Sequence, residues 1–292
     1  MKPAKFDYYR PGTIDEAVVI LERYEGDARV LAGGQSLVPM MNFRLATPAA
    51  IVDLNHIPRL SDIAAADGVV RIGAMARQRQ IEFAPLVAER LPLLHEALRW
   101  VGHLPTRTRG TIGGSIANAD PAAEIPMVLQ VLGGEVVVRD LQGGRRIGAP
   151  DLFLGPLTTS LEPSEIITEV RFPVMPPGTA FAIEEFARRK GDFAIAAIAA
   201  VLVPEGERCR VARLATAGVG PVPVRLREAE AILEERGLGE AAVGAAAEKA
   251  AEVVEPMSDH NASADYRRHL TGVLTRRAVL KAIKDHQHAA TG

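Results

Sequence analysis

Two short segments carry residue types that can bind an anion. Ala32-Gly33-Gly34-Gln35-Ser36-Leu37 follows an apolar run, and Thr111-Ile112-Gly113-Gly114-Ser115 leads into Ile116-Ala117-Asn118-Ala119-Asp120-Pro121. Glycine has no Cβ, so its backbone turns through positive φ and comes close to a bulky ligand. Successive N–H groups in such turns form a concavity that attracts negative charge. Ser36, Thr111 and Ser115 add hydroxyl donors beside them. Two such turns could clamp one diphosphate from two sides. Glycine pairs also serve as plain turns, and Gly133-Gly134 and Gly143-Gly144, flanked by strand-like runs, read that way. The chain has neither a GxxxxGK[ST] loop nor a GxGxxG turn opening a βαβ unit. Spacing alone leaves both readings of the first two pairs open.

Other reactive residues are sparse. The single cysteine, Cys209, cannot form an internal disulfide or hold an iron–sulfur cluster, which takes about four ligands. Any such metal centre must sit on another chain. The seven histidines show no HxxxH or HxxEH spacing. Arg188-Arg189-Lys190 reads as a solvated strand end, with docking of an acidic partner or NAD as the alternative. Trp100 and the Met40-Met41 pair read as core residues.

The elements that must position the glycine segments follow from pattern. Thr13-Ile14-Asp15-Glu16 has the capping-box form, and Ala17, Leu21 and Tyr24 recur at helical spacing. Strands are expected at 29–32 and 51–54, then a hairpin about Asp67-Gly68 running into 69–75. A helix over 80–101, broken near Pro92, precedes the Gly-, Thr- and Arg-rich stretch 102–120. Asp120-Pro121 should then cap and start a helix that ends at Gly133-Gly134. Strands follow at 135–139, 145–147 and 166–172. The linker is Pro173-Val174-Met175-Pro176-Pro177-Gly178. Beyond it come strands at 180–188, 194–203 and 210–217, then helices at 227–236, 240–254 and 265–286, the order of an α+β domain.

The 292 residues suffice for two domains, and 48% hydrophobic with 24% charged residues is ordinary for a soluble globular protein. A net charge of −2 with no dense basic run argues against nucleic acid as the main partner. The longest apolar runs, such as 193–203, are about half of the roughly 20 residues a membrane span needs. The opening MKPAKFDYYRPGT lacks an apolar signal core, so a cytoplasmic location is expected.

Four motifs in order, AGGQSLVPMMNFRL, RGTIGGSIANADPAAE, RRKGDFAIAA and SADYRRHL, resemble the FAD-binding medium subunits of molybdenum hydroxylases, the carbon monoxide dehydrogenase and xanthine dehydrogenase family. The resemblance covers essentially the whole chain. It implies an α+β protein. Residues 1–175 would be a two-part FAD-binding fold of the vanillyl-alcohol oxidase and p-cresol methylhydroxylase type, with halves of about 1–57 and 58–175. Residues 176–292 would form a C-terminal domain, a three-stranded antiparallel sheet with helices. It implies non-covalent FAD, extended between the halves, with its diphosphate at Ala32, Gly33, Gly34, Gln35, Ser36, Leu37 and at Thr111, Ile112, Gly113, Gly114, Ser115. Glu124 falls near the ribose and adenosine, Leu161 at a cofactor contact, and Phe193 against the isoalloxazine.

The resemblance further implies partners: a small subunit with 2Fe-2S clusters and a large molybdopterin subunit, in a dimer of heterotrimers. Electrons would pass through FAD to NAD or a quinone-type acceptor. Relatives often read IRNRGTIGG where Thr108 stands for Asn here, and some carry a lysine in place of Glu185. His56 and His103 lie outside the family motifs and read as structural. Two other functions remain at this point: a stand-alone FAD oxidoreductase with its own substrate, and a nucleotide-binding module whose glycines are turns.

Overall fold

The protein is represented by a computed structural model, in which residues 1–291 are described. Its first unit alternates strand and helix: β1 (Asp7–Tyr9), α1 (Ile14–Arg23), β2 (Ala28–Leu31), α2 (Leu37–Asn42) and β3 (Ala50–Asp53). The sheet is parallel, in the order β1-β3-β2. Thr13 caps α1 by accepting from the Glu16 amide at 3.2 Å. Glu16 reaches back to the Gly12 amide at 2.7 Å, one residue earlier than the capping box expects. Ala17, Val18 and Leu21 of α1 bury against Ala50 and Val52.

The second unit contains β4 (Ile63–Ala66), β5 (Val69–Gly73), α3 (Gln78–Glu82), α4 (Pro85–Arg90), α5 (Pro92–Ala97), α6 (Leu104–Arg109), α7 (Ile112–Asn118) and α8 (Glu124–Leu132). It ends with β6 (Glu135–Asp140), β7 (Gly143–Gly148), α9 (Ala149–Leu152), β8 (Phe153–Gly155), β9 (Thr158–Thr159) and β10 (Ile166–Pro173). Its main sheet is antiparallel, ordered β4-β5-β10-β6-β7. Asp67 and Gly68 both adopt positive φ, 54° and 75°, as a two-residue hairpin turn requires.

The helix expected over 80–101 is three short ones, with Pro85 and Pro92 each in a first turn. Proline suits that place because its missing N–H would be unpaired there anyway. The helix expected at Pro121 begins at Glu124 instead. Asp120 does accept from the Ala122 amide at 2.9 Å, but the Pro121 carbonyl is taken by the Gly218 amide at 2.8 Å. That bond to another unit holds 120–123 out of the helix.

The third unit follows the Pro-rich segment: β11 (Ala180–Phe186), β12 (Ala196–Glu205), β13 (Arg208–Ala217), β14 (Val224–Arg225), α10 (Arg227–Arg236), α11 (Glu240–Val253) and α12 (Ala264–Thr291). The antiparallel sheet has four strands rather than three, because Val224–Arg225 pairs with Thr216 and Ala215. β12 is an apolar run because both its faces are covered. Ala197, Ala199 and Val201 join the core of the second unit, while Ala196, Ile198, Ala200 and Leu202 face α10–α12. α8 lies in the first of these cores, and all nine of its residues are buried.

Candidate functional site

The two glycine segments meet. A Cβ built on Gly33 would lie 2.3 Å from the Arg109 carbonyl oxygen and 2.8 Å from the Gly110 Cα, so only hydrogen fits between them. A Cβ on Gly114 would lie 3.3 Å from the Ala32 Cβ and 2.7 Å from Thr111 Oγ1. Gly34 turns the chain at φ +71°, where its Cβ would crowd Val38 at 3.0 Å. The glycines therefore make room first for protein.

The segments differ in what they leave unpaired. Among the described residues, the amides of Gly33, Gly34, Gln35, Ser36 and Leu37 donate to no protein acceptor. Gln35 and Ser36 are exposed, and the Ser36 hydroxyl makes no capping bond. Backbone N–H groups need a partner, so this turn offers five free donors. The second segment is not a free loop but the start of α7, with Thr111 as N-cap. Its amides are already used. Ile112 donates to the Ala76 carbonyl (3.1 Å), Gly113 to Ala74 (2.9 Å), Gly114 to Thr111 Oγ1 (3.0 Å) and Ser115 to the Thr111 carbonyl (3.1 Å). Of the two segments expected to clamp a diphosphate, only the first leaves its backbone amides unpaired within the protein. What the second segment presents is the Ser115 side chain and the backing for Gly33.

Two residues that the sequence offered no reason to single out join the segments. Asn55 donates to the Ala32 carbonyl at 3.0 Å and accepts from Arg77 at 2.5 Å. Arg77 also donates to the Arg109 carbonyl, and its backbone bridges Thr111. Burial, and then the like charge of Arg109, pulls the Arg77 pKa down. Positive charge thus sits behind the unpaired amides, as an anionic ligand would require.

The other expected site residues lie toward the third unit. Asp120, just past the end of α7, lines a cavity of about 660 Å³ with Phe193, Arg188, Gly218 and Arg267. Phe193 is 61% exposed. Helix α7 spans about 10 Å, so it runs from the glycine contact to this cavity. Glu124 is 4% exposed at the start of α8. Burial, reinforced by Asp120 and opposed by Arg107, pushes its carboxyl up to about 7. Glu185 lies on the face of β11 shared with Ile183, which packs into the second unit's core. One of its oxygens is buried without a partner, and burial with the nearby Glu124 charge pushes its carboxyl up to about 8. Leu161 is half-buried against the same core. Gly191, at φ +89°, lets loop 187–195 close on Gly102 and His103, where a Cβ would fall 2.5 Å from the His103 ring.

A turn with unpaired amides, set beside a short helix whose other end meets a cavity between the second and third units, gives this α+β protein a place for an anionic group. Residues 4–175 match the family described as the FAD binding domain in molybdopterin dehydrogenase, and residues 181–282 match the CO dehydrogenase flavoprotein C-terminal domain. The chain belongs to the FAD-binding medium subunits of the molybdenum hydroxylases, the carbon monoxide dehydrogenase and xanthine dehydrogenase family.

Among its relatives is the 6-hydroxypseudooxynicotine dehydrogenase complex subunit alpha of Paenarthrobacter nicotinovorans, 38% identical with 97% of this chain and 96% of that one covered. The carbon monoxide dehydrogenase medium chain of Afipia carboxidovorans is also 38% identical, covering 97% and 98%. Carbon monoxide dehydrogenase from Hydrogenophaga pseudoflava superimposes with a TM-score of 0.95 at 37% identity, covering 97% of this chain and 99% of that one. Quinoline 2-oxidoreductase from Pseudomonas putida 86 does so at 0.93 and 36%, covering 98% and 99%. The chain is an oxidoreductase flavoprotein subunit with FAD as its cofactor. No helix among the described residues is long and apolar enough to cross a membrane.

Proposed function

We propose that this chain holds FAD non-covalently and serves as the electron-transfer subunit of a molybdenum-containing hydroxylase or dehydrogenase. Residues 33–37 would bind the diphosphate through their five unpaired amides, the single observation that carries the reading. Ser36 and Ser115 would add hydroxyl contacts, while Thr111, buried with its hydroxyl capping α7, would hold that helix in place, and Gly113 and Gly114 allow α7 to pack close enough for Ser115 to reach. Ala32 and Ile112 contribute position and Leu37 the first turn of α2. Glu124 would lie toward the ribose and adenosine, and Leu161 against the cofactor. Phe193 would face the flavin ring at the mouth of the cavity.

The bound isoalloxazine supplies the one- and two-electron chemistry. This chain's residues bind and orient it and set its surroundings. Glu185, held toward its neutral form at neutral pH by burial and by the nearby Glu124, limits negative charge in the interior that the two residues share. Electrons would arrive from 2Fe-2S clusters on a small partner subunit, after substrate oxidation on a molybdopterin-bearing large one. They would leave to NAD or a quinone-type acceptor. The one buried cysteine, with its thiol pushed up by burial to about 11, suits a division of labour in which clusters lie on another chain. Assembly as a dimer of heterotrimers and a cytoplasmic location belong to the same proposal.

The test is reconstitution. Chain stripped of flavin should bind FAD stoichiometrically and turn yellow. It should oxidise no organic substrate until the two partner subunits are added. Failure to take up FAD overturns the reading, and substrate oxidation by the isolated chain replaces it with the stand-alone enzyme.

A further inference from the structure

The two glycine segments belong to different units, and a closed ring of contacts joins them. It runs from the Ala32 carbonyl to Asn55, on to Arg77, to the Arg109 carbonyl and back to Gly33, which packs on that same oxygen. Asn55 has no freedom in this ring. Its Nδ2 faces two acceptors, the Ala32 carbonyl at 3.0 Å and Asp53 Oδ1 at 2.5 Å, while its Oδ1 faces the Arg77 donor at 2.5 Å. A flipped amide would set oxygen against oxygen and N–H against N–H. Asp53 is itself fixed by the Asn55 amide at 2.9 Å and by the Tyr8 hydroxyl from β1. On the other side, Arg77 is the extended residue before α3, and its backbone bridges Thr111, the N-cap of α7. One guanidinium thus touches Asn55 of the first unit and the Arg109 carbonyl just before the second glycine segment, while the Arg77 backbone bridges that segment's first residue.

We propose that Asn55 and Arg77 are positioning residues for the cofactor: their link sets the gap between the unpaired amides of 33–37 and the start of α7. The inference rests on the reading that these segments hold FAD, and deepens it. The forked geometry matters as much as the charge. Two guanidinium nitrogens serve two acceptors on separate units, which a lysine, as a point charge, reaches one at a time. Breaking the link leaves every group that would touch the diphosphate in the protein, yet lets their spacing drift. Affinity should fall because the bound geometry is no longer prepared in advance.

The experiment compares Asn55→Ala, Arg77→Met, Arg77→Lys and the Asn55→Ala/Arg77→Met double variant in the full-length chain. Three quantities are read: FAD dissociation constant, melting temperature of the flavin-free protein, and visible circular dichroism of the flavin at saturation. Hydrogen bonds to a charged group predict a loss of roughly ten- to a hundredfold in affinity for Arg77→Met, and about tenfold for Asn55→Ala. The double variant should be no weaker than Arg77→Met, because both changes cut one link. Arg77→Lys should recover only part of the affinity, and the flavin dichroism should differ from wild type in every variant.

Unchanged affinity in Asn55→Ala overturns the proposal. So does full recovery in Arg77→Lys, which would leave only a charge effect. Additive losses, or a wild-type flavin spectrum in variants of lowered melting temperature, would reduce both residues to structural roles. If Arg77→Met does not fold, Asn55→Ala and Arg77→Lys decide by the same criteria. A wild-type chain that binds no FAD sinks the functional reading and this inference together. Wild-type binding with unaltered variants sinks this inference alone.

Discussion

Gly33 lies flat against the carbonyl oxygen of Arg109, where a Cβ would come within 2.3 Å. Seventy-six positions apart in the chain (109 minus 33), these residues place the free amides of one turn beside the helix that starts the next. Gly33→Ala must push the units apart, because the obstacle is backbone rather than a flexible side chain. We expect a stability loss of about 1–3 kcal/mol, as for overpacked sites. FAD affinity should fall at least about tenfold, since the displaced backbone carries the donors. Thermal denaturation of the flavin-free protein and FAD titration check both.

Ser36 separates ligand binding from folding. It is exposed, its hydroxyl caps nothing, and its amide is one of the five unpaired donors. Ser36→Asp puts a carboxylate where a diphosphate would sit. The variant should melt within about 0.5 kcal/mol of wild type, as exposed changes do. It should lose FAD affinity by roughly ten- to a hundredfold through like-charge repulsion at close range. Fluorescence titration with FAD reads the outcome, and undiminished affinity would place the anion elsewhere.

Phe193 offers a test at the far end of the site. With 61% of its surface exposed, it contributes little to the core. Phe193→Ala should therefore leave the flavin-free melting curve nearly unchanged. An aromatic pair adds about 0.5–1.5 kcal/mol beyond burial, so FAD affinity should drop a few-fold to about tenfold. The absorbance and midpoint potential of the bound flavin should shift. A variant with identical flavin absorbance and potential would remove Phe193 from the ring's surroundings.

The carboxyls of Glu124 and Glu185 predict a pH dependence of definite sign. Burial first, and then their neighbours' charge, raise both in the folded protein, to about 7 and about 8. The folded chain therefore holds protons that the unfolded chain has released above the ordinary carboxyl range of about 4.3. Stability falls as pH rises from there, and the fall is complete above about pH 8. Glu185→Gln keeps the shape and removes the titration. It should raise stability by on the order of 5 kcal/mol at pH 9, remove the Glu185 part of the fall while leaving the part due to Glu124, and leave stability near pH 4 unchanged. Melting temperatures across that range provide the check.

Much of this architecture was legible in the chain. The apolar run 194–203 announced a strand, although pattern alone could not show that alternate residues of β12 serve two cores. Arg227–Arg236 is the helix its spacing predicts. The candidate site was legible as two glycine segments, which the structure brings into contact, because residue type and order carry that signal. The state of their amides was not. Ile112 and Gly113 donate to Ala76 and Ala74 across a separation that no local pattern encodes. The helix start misread at Asp120-Pro121 has the same origin, since the Gly218 amide that captures Pro121 lies in another unit. Asn55 and Arg77 are ordinary polar residues in sequence and become significant only where long-range contacts bring them together.

Amide hydrogen exchange with and without FAD tests directly whether one turn, not two, supplies backbone donors to the anion. Exchange at residues 33–37 should be fast in the flavin-free chain and strongly slowed once FAD is bound. Amides 112–115, bonded within the protein, should be protected in both states. Unaltered exchange at 33–37 on addition of saturating FAD would contradict donation from that turn.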